Sequence, residues 1–271
     1  MKRIYRYERG VIEPQRIAVV EEAPLTVLVN GQELLTLLCT PADLEDLVLG
    51  FLYHERILGG LEGLAALEID AESGVARVEL VDRGFRPPKR RVFTSGCGGG
   101  LSFHLRLNDY PPLYSRRSLA PAAVYPLLKQ LMAAAVRYLE SRGIHAAALS
   151  DDSRLLLVRE DVGRHNALDK IQGAALRAGL STRDRILLSS GRISSEMLRK
   201  GARMEAPFLV SRTSPTTLAI ENAHRLGITL IGYVRPGGFN VYSHPERLDY
   251  RRPAAADKDA ELPIRIATAG S

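Results

Sequence analysis

From Leu119 to Tyr250, apolar runs of strand length alternate with longer stretches of helical period, and this alternation most constrains the fold. A helix is read at Pro121–Ser141, strands at Ile144–Leu149 and Arg154–Val158, and a helix at His165–Ala178. Strand Arg185–Ser189, helix Ser194–Met204, strand Pro207–Val210, helix Ser214–Leu226 and strand Ile228–Tyr233 follow. Such a series folds as α/β, with helices packed on both faces of a sheet.

The preceding residues are organised differently. Short apolar runs at Arg16–Val20, Leu25–Val29 and Leu34–Cys39 are separated by turn signals, and Asn30-Gly31 predicts a hairpin between the last two. Thr40-Pro41-Ala42-Asp43 predicts a helix start, with Thr40 as N-cap and Pro41 in the first helical position. That helix should reach about Ile57 and stop at Gly59-Gly60, with strands at Ala65–Ile69 and Val75–Val81 beyond it. The expected organisation is a β-rich N-terminal region over 1–118, an α/β region over 119–250 and a loose tail over 251–271.

Inside the β-rich region lies Thr94-Ser95-Gly96-Cys97-Gly98-Gly99-Gly100, which holds one of only two cysteines in the 271 residues. Glycine at this density suits no helix or strand interior, because each one loses backbone entropy without packing a side chain. The stretch reads as an exposed loop around a single thiol. A packing cysteine is usually flanked by aliphatic residues, as Cys39 is after Leu34–Leu38. Five basic residues precede the loop (Arg83, Arg86, Lys89, Arg90 and Arg91). Cationic neighbours and free glycine amides favour a thiolate, the nucleophilic form of cysteine.

The net charge of +6 points to an anionic partner (nucleic acid, a phosphorylated cofactor or an acidic protein), with a solvated basic surface as the alternative. With no tryptophan, a stacking platform for single strands is poorly supported. No run is long and apolar enough for a membrane span, and Met1–Arg9 is charged without a following apolar region, so the cytoplasm is expected. Four strand ends carry the candidate binding chemistry. Val158–Lys170 turns through Gly163 and includes Asp161, Arg164 and His165. Ser189-Ser190-Gly191-Arg192 leads into a helix, as phosphate sites often do. Arg212–Thr217 repeats the pattern, and Gly232–Gly238 combines an aromatic, a cation and a glycine turn, which suits a nucleobase with its phosphate. Ion-paired turns and capped helix starts remain the alternative for each segment. A zinc deaminase is disfavoured, since the Pro-Cys-x-x-Cys stretch that such a site needs does not occur.

Taken together, these residues resemble the FdhD family, the formate dehydrogenase accessory sulfurtransferases. The resemblance runs from about Glu22 to Leu248 and is carried by Glu160–Lys170, Ser190-Gly191-Arg192, Asn240–Arg247 and Thr40–Leu52. It implies a cytidine deaminase-like α/β/α layered fold, a homodimer and a sulfur-carrier role. Cys97 matches the family's persulfide cysteine, loaded by a cysteine desulfurase. The acceptor implied is the molybdenum or tungsten bis(molybdopterin guanine dinucleotide), bound as substrate before it enters the catalytic subunit of formate dehydrogenase, with GDP as its mimic. Tyr233, Val234, Arg235, Pro236, Gly237 and Gly238 match the family's cofactor-binding stretch, and Arg164, His165, Ser190 and Arg192 are expected beside them. No resident metal is implied. One position departs from the pattern: Gly100 stands where many relatives have a second loop cysteine. A single thiolate can still carry a persulfide. A chaperone that binds the cofactor without transferring sulfur is the other reading.

Overall fold

The computed structural model describes residues 1–87 and 110–251, together with the backbone of two short strands at 92–93 and 101–102. Cys97 and its glycine neighbours, the basic residues Lys89–Arg91, and the tail from 252 onward lie outside the described residues. Strands β1 (Lys2–Glu8) and β2 (Val11–Ile17) form a hairpin of their own. Strands β3 (Ala23–Val29) and β4 (Gln32–Cys39) follow, then helix α1 (Leu44–His54), β5 (Leu64–Asp70) and β6 (Val75–Leu80). The last four strands make one sheet in the order β4-β3-β6-β5. Asn30 and Gly31 close the β3–β4 hairpin with φ of 48° and 76°, the left-handed values a two-residue turn requires. Strands β7 (Val92–Phe93) and β8 (Leu101–Ser102) pair antiparallel with each other.

The start of α1 departs from the expectation. Thr40 is not its cap; Asp43 precedes the helix in a left-handed conformation and makes no side-chain cap. The Thr40 hydroxyl instead accepts the Val162 amide at 3.1 Å, and the Thr40 amide donates to Asp161 Oδ2 at 3.1 Å. A tertiary partner has displaced the local capping role. The helix also ends at His54, short of the glycine pair.

The second half contains α2 (Pro121–Ala134), α3 (Val136–Ser141), β9 (His145–Ser150), β10 (Leu155–Asp161) and α4 (Arg164–Arg177). Then come β11 (Ile186–Ser189), α5 (Ser195–Arg203), β12 (Phe208–Ser211), α6 (Thr217–Leu226), β13 (Thr229–Arg235) and β14 (Gly238–Ser243). The helix expected over 121–141 is broken at Ala135. The Glu160 carboxylate accepts the Arg137 and Tyr138 amides at 3.1 and 2.7 Å, which makes a new helix N-terminus there.

The six strands lie in the order β10-β9-β11-β12-β13-β14. Alternate residues point to opposite faces. Ala147, Leu149, Leu187 and Leu209 pack under α4, α5 and α6, while Ala146, Ala148, Ile186, Leu188, Phe208 and Val210 pack under α2. The other sheet closes its core on α1. The two halves meet where α1 crosses α4. A Cβ on Gly50 would land on the Asp169 carbonyl, and one on Gly173 would land on the Asp46 carbonyl. Only glycine permits this approach. Among the described residues, no helix is long and apolar enough to cross a membrane.

Gly50→Ala or Gly173→Ala is therefore expected to cost about 3 kcal/mol, a fall in Tm of roughly 6–12 °C for a chain of this size. Calorimetry checks it; a loss of less than about 1 kcal/mol would mean that the helices part easily.

Candidate functional site

Strand directions bring the candidate segments to one edge. Strand β9 runs antiparallel to both β10 and β11, so those two are co-directional, and β12 and β13 run parallel to β11. Four carboxyl ends therefore emerge side by side, the place where open α/β sheets bind ligands. Short hydroxyl side chains tie the turns together. Ser189 Oγ accepts the Gly191 amide at 3.1 Å, Ser190 Oγ accepts the Ala146 amide at 2.9 Å, and Ser211 Oγ donates to the Gly191 carbonyl at 2.7 Å. The Tyr233 amide donates to the Thr213 carbonyl at 3.1 Å.

On this rigid floor Arg192, Arg212 and Arg235 are exposed. Arg235 is oriented by donating to the Arg212 and Val234 carbonyls at 2.6 and 2.8 Å, and Arg212 donates to the Tyr138 hydroxyl at 3.1 Å. The expected stretch Tyr233–Gly238 is the turn of the β13–β14 hairpin. Tyr233 is 47% exposed and holds a φ of 52°, a strained value for an aromatic residue. Val234 points inward and packs in the core, so it shapes the turn through its backbone. Arg235, Pro236, Gly237 and Gly238 face solvent.

Arg164 and His165 open α4 and are nearly buried. The first of these sits by Gly191, where a Cβ would come within 3.2 Å of the Arg164 side chain and 3.0 Å of the ring of His145, the first residue of β9. The strand-end motifs do not contain His145, because it enters at the start of a strand antiparallel to the others. Its pairing with Asp161 across β9–β10 puts it at the same edge. Burial, then the Arg164 charge, holds the His145 imidazole below its ordinary pKa, against the pull of Asp161. His165 is pushed well below its ordinary value by burial, then by Lys200 and Arg164. Its Nε2 lies 3.2 Å from Ser194 Oγ and 3.4 Å from Glu196 Oε2. Both imidazoles are neutral near pH 7.

Most of the remaining charge in Val158–Lys170 is used internally. Asp161 pairs with Lys170 at 2.6 Å, Arg159 with Asp46 at 2.7 Å, and Glu160 holds α3. Asp169 is the hub of the seam between α1 and α4. It meets His54 Nδ1 at 2.6 Å and Lys200 Nζ at 2.7 Å. Burial alone would raise its carboxyl, but Lys200 and His54 bring it below the usual range. Burial lowers His54 from 6.5 to about 4, outweighing its bond to Asp169. Arg199 and Glu55 form a further buried pair at 2.6 Å. Cys39, in contrast, is buried, and desolvation with the Asp161 charge pushes its thiol up to about 12, so it is inert as expected.

The sequence pattern of the FdhD/NarQ family matches residues 20–249, beginning just after the β1–β2 hairpin. A sulfur carrier protein FdhD of Bacillus subtilis (strain 168) is 41% identical over 250 residues, covering 90% of this chain and 95% of the relative. Its namesake in Staphylococcus aureus (strain MRSA252) is 41% identical over 251 residues, 90% of this chain and 94% of the relative. The crystal structure of a formate dehydrogenase accessory protein from Desulfotalea psychrophila is similar with a TM-score of 0.76 at 27% identity, over 92% of this chain and 98% of that one.

Below the site, the buried network imposes a pH limit. The unfolded chain protonates His54 near 6.5 whereas the folded one waits until about 4, so stability is full above pH 6.5 and falls between these values. The loss from His54 is on the order of 3 kcal/mol. Denaturant titrations at pH 7 and pH 4.5 should show it, and His54→Gln should flatten the profile; a His54→Gln profile as steep as wild type removes His54 as the cause.

Proposed function

The chain belongs to the FdhD/NarQ family, and we propose that it serves a formate dehydrogenase as a sulfur carrier working through a persulfide on Cys97. The Cys97 thiolate attacks the outer sulfur of a persulfide on a cysteine desulfurase and releases the desulfurase thiolate. Transfer onward returns Cys97 to the thiolate, and the sulfur takes up two electrons from a reduced metal in the acceptor. That acceptor is the molybdenum or tungsten bis(molybdopterin guanine dinucleotide), delivered afterwards to the catalytic subunit. The setting is cytoplasmic and the working unit is a homodimer. The helices on both faces of the six-stranded sheet support a cytidine deaminase-like reading of the fold.

One observation carries the cofactor half of this reading. Four co-directional strand ends present Arg192, Arg212 and Arg235 beside the exposed, strained Tyr233. Guanidinium groups suit phosphate oxygens, and a tyrosine ring suits a planar base. Arg164, His165 and Ser190 are the floor of that edge, with the imidazoles neutral so that they can hydrogen-bond without adding charge. The chaperone reading rests on Gly100, which removes a two-thiol relay within the loop.

Intact-mass measurement after treatment with desulfurase and cysteine should add one sulfur to wild type and none to Cys97→Ala. Sulfur on Cys39, or formate dehydrogenase activity restored by Cys97→Ala in a strain lacking this protein, overturns the carrier assignment. GDP titrated calorimetrically should bind wild type, and Arg235→Ala or Tyr233→Ala should weaken it about tenfold or more. Equal binding by both variants would move the nucleotide elsewhere.

A further inference from the structure

Among the described residues, the β1–β2 hairpin joins no other sheet. Among those residues its two strands pair only with each other, and no residue in either strand is buried. Only Ile4 and Gln15, which face each other, are half-covered. A two-stranded ribbon of this kind is marginal in water by itself. Its register and alternation put Tyr5 and Tyr7 on one face with their partners Pro14 and Ile12. Tyr7 is 70% exposed and Ile12 66%. The Arg3 guanidinium lies 5.4 Å from the Tyr5 ring centre, so the apolar face has a cationic end.

A matching surface lies at the ribbon's root. The linker residues Val19 and Glu21, Pro41, and Arg137, Glu140 and Ile144 line a cleft of about 210 Å³. Beside it α3 exposes Val136 and Leu139, one helical turn apart. The rim carries Glu21 and Glu140 against Arg137, whereas the ribbon carries Lys2, Arg3, Arg6, Arg9 and Arg16 against Glu8 and Glu13. Exposed apolar groups gathered in this way mark a protein contact. The basic aromatic ribbon and the acid-rimmed apolar cleft are complementary, and one chain carries both.

We propose that the ribbon is an exchanged arm whose occupant is a second copy of this chain. The Tyr5–Tyr7–Ile12 face of each arm lies across α3 and the cleft of the other copy. A two-fold axis near the linkers makes the two contacts identical. A seven-residue strand spans about 23 Å, more than the roughly 9 Å of a six-residue helix such as α3. The proposal deepens the homodimer reading above and identifies the surface responsible for it.

Light scattering and sedimentation of the full-length chain test both. Wild type should be a dimer. Tyr7→Asp/Ile12→Asp and, separately, Leu139→Asp should raise the dissociation constant about tenfold or more, with circular dichroism showing an intact fold. An arm variant Arg3→Glu/Arg6→Glu/Arg16→Glu and a cleft variant Glu21→Arg/Glu140→Arg should each be monomeric alone and should form a dimer when mixed. A wild-type dimer that survives Tyr7→Asp/Ile12→Asp overturns the arm while leaving the homodimer standing. A monomeric wild type overturns both, and reversed-charge variants that stay monomeric when mixed overturn the arm–cleft pairing.

Discussion

The contact between α1 and α4 decides the rest of the structure. Two glycines, Gly50 and Gly173, let the helices approach until backbone meets backbone. Each helix belongs to a different core, one closing the four-stranded sheet and the other covering the six-stranded sheet. Their crossing makes a single body of two sheets. It also buries side chains that would otherwise stay in water, so the charges at the seam must be paired. Asp169 with His54 and Lys200, and Arg199 with Glu55, meet that requirement.

The same demand reaches the strand edge. Thr40 and Lys170 hold Asp161, and Asp161 in turn holds the Gly163 turn through its amide at 2.8 Å. That turn delivers Arg164 and His165. Interior pairing thus shapes a surface that presents cations outward and neutral imidazoles beneath them. Burial, and then the Lys200 cation beside it, keeps the His165 ring uncharged. Electrostatic order inside the protein is what lets the exposed arginines act as the edge's free positive charge.

Much of the fold was legible in the chain. Asn30-Gly31 and the succession of strands and helices after Leu119 rest on local backbone preferences, and these survive in the structure. The helix break at Ala135 was not legible, because its cause is Glu160 on a strand 22 residues away from Tyr138. Thr40 looked like a cap for the same reason: a sequence shows the near partner, whereas Asp161 and Val162 are remote. The charge-dense run around His165 read as a binding segment with an ion-paired turn as the alternative, and the structure divides it: Arg159, Glu160, Asp161, Asp169 and Lys170 are spent on internal contacts. His145 went unseen because antiparallel pairing puts the start of its strand among the ends of the others.

The sequence by itself determined the classes of element, their order, the single thiol of the glycine stretch and the kinship of the chain, since these depend on residue type and short spacing. Only the tertiary structure decided which charges are mortar and which are free. That division depends on burial and on partners more than a hundred positions apart, such as Asp161 with Thr40 and Asp169 with His54. Local pattern cannot contain such information, because desolvation is a property of the packed body and not of any segment within it.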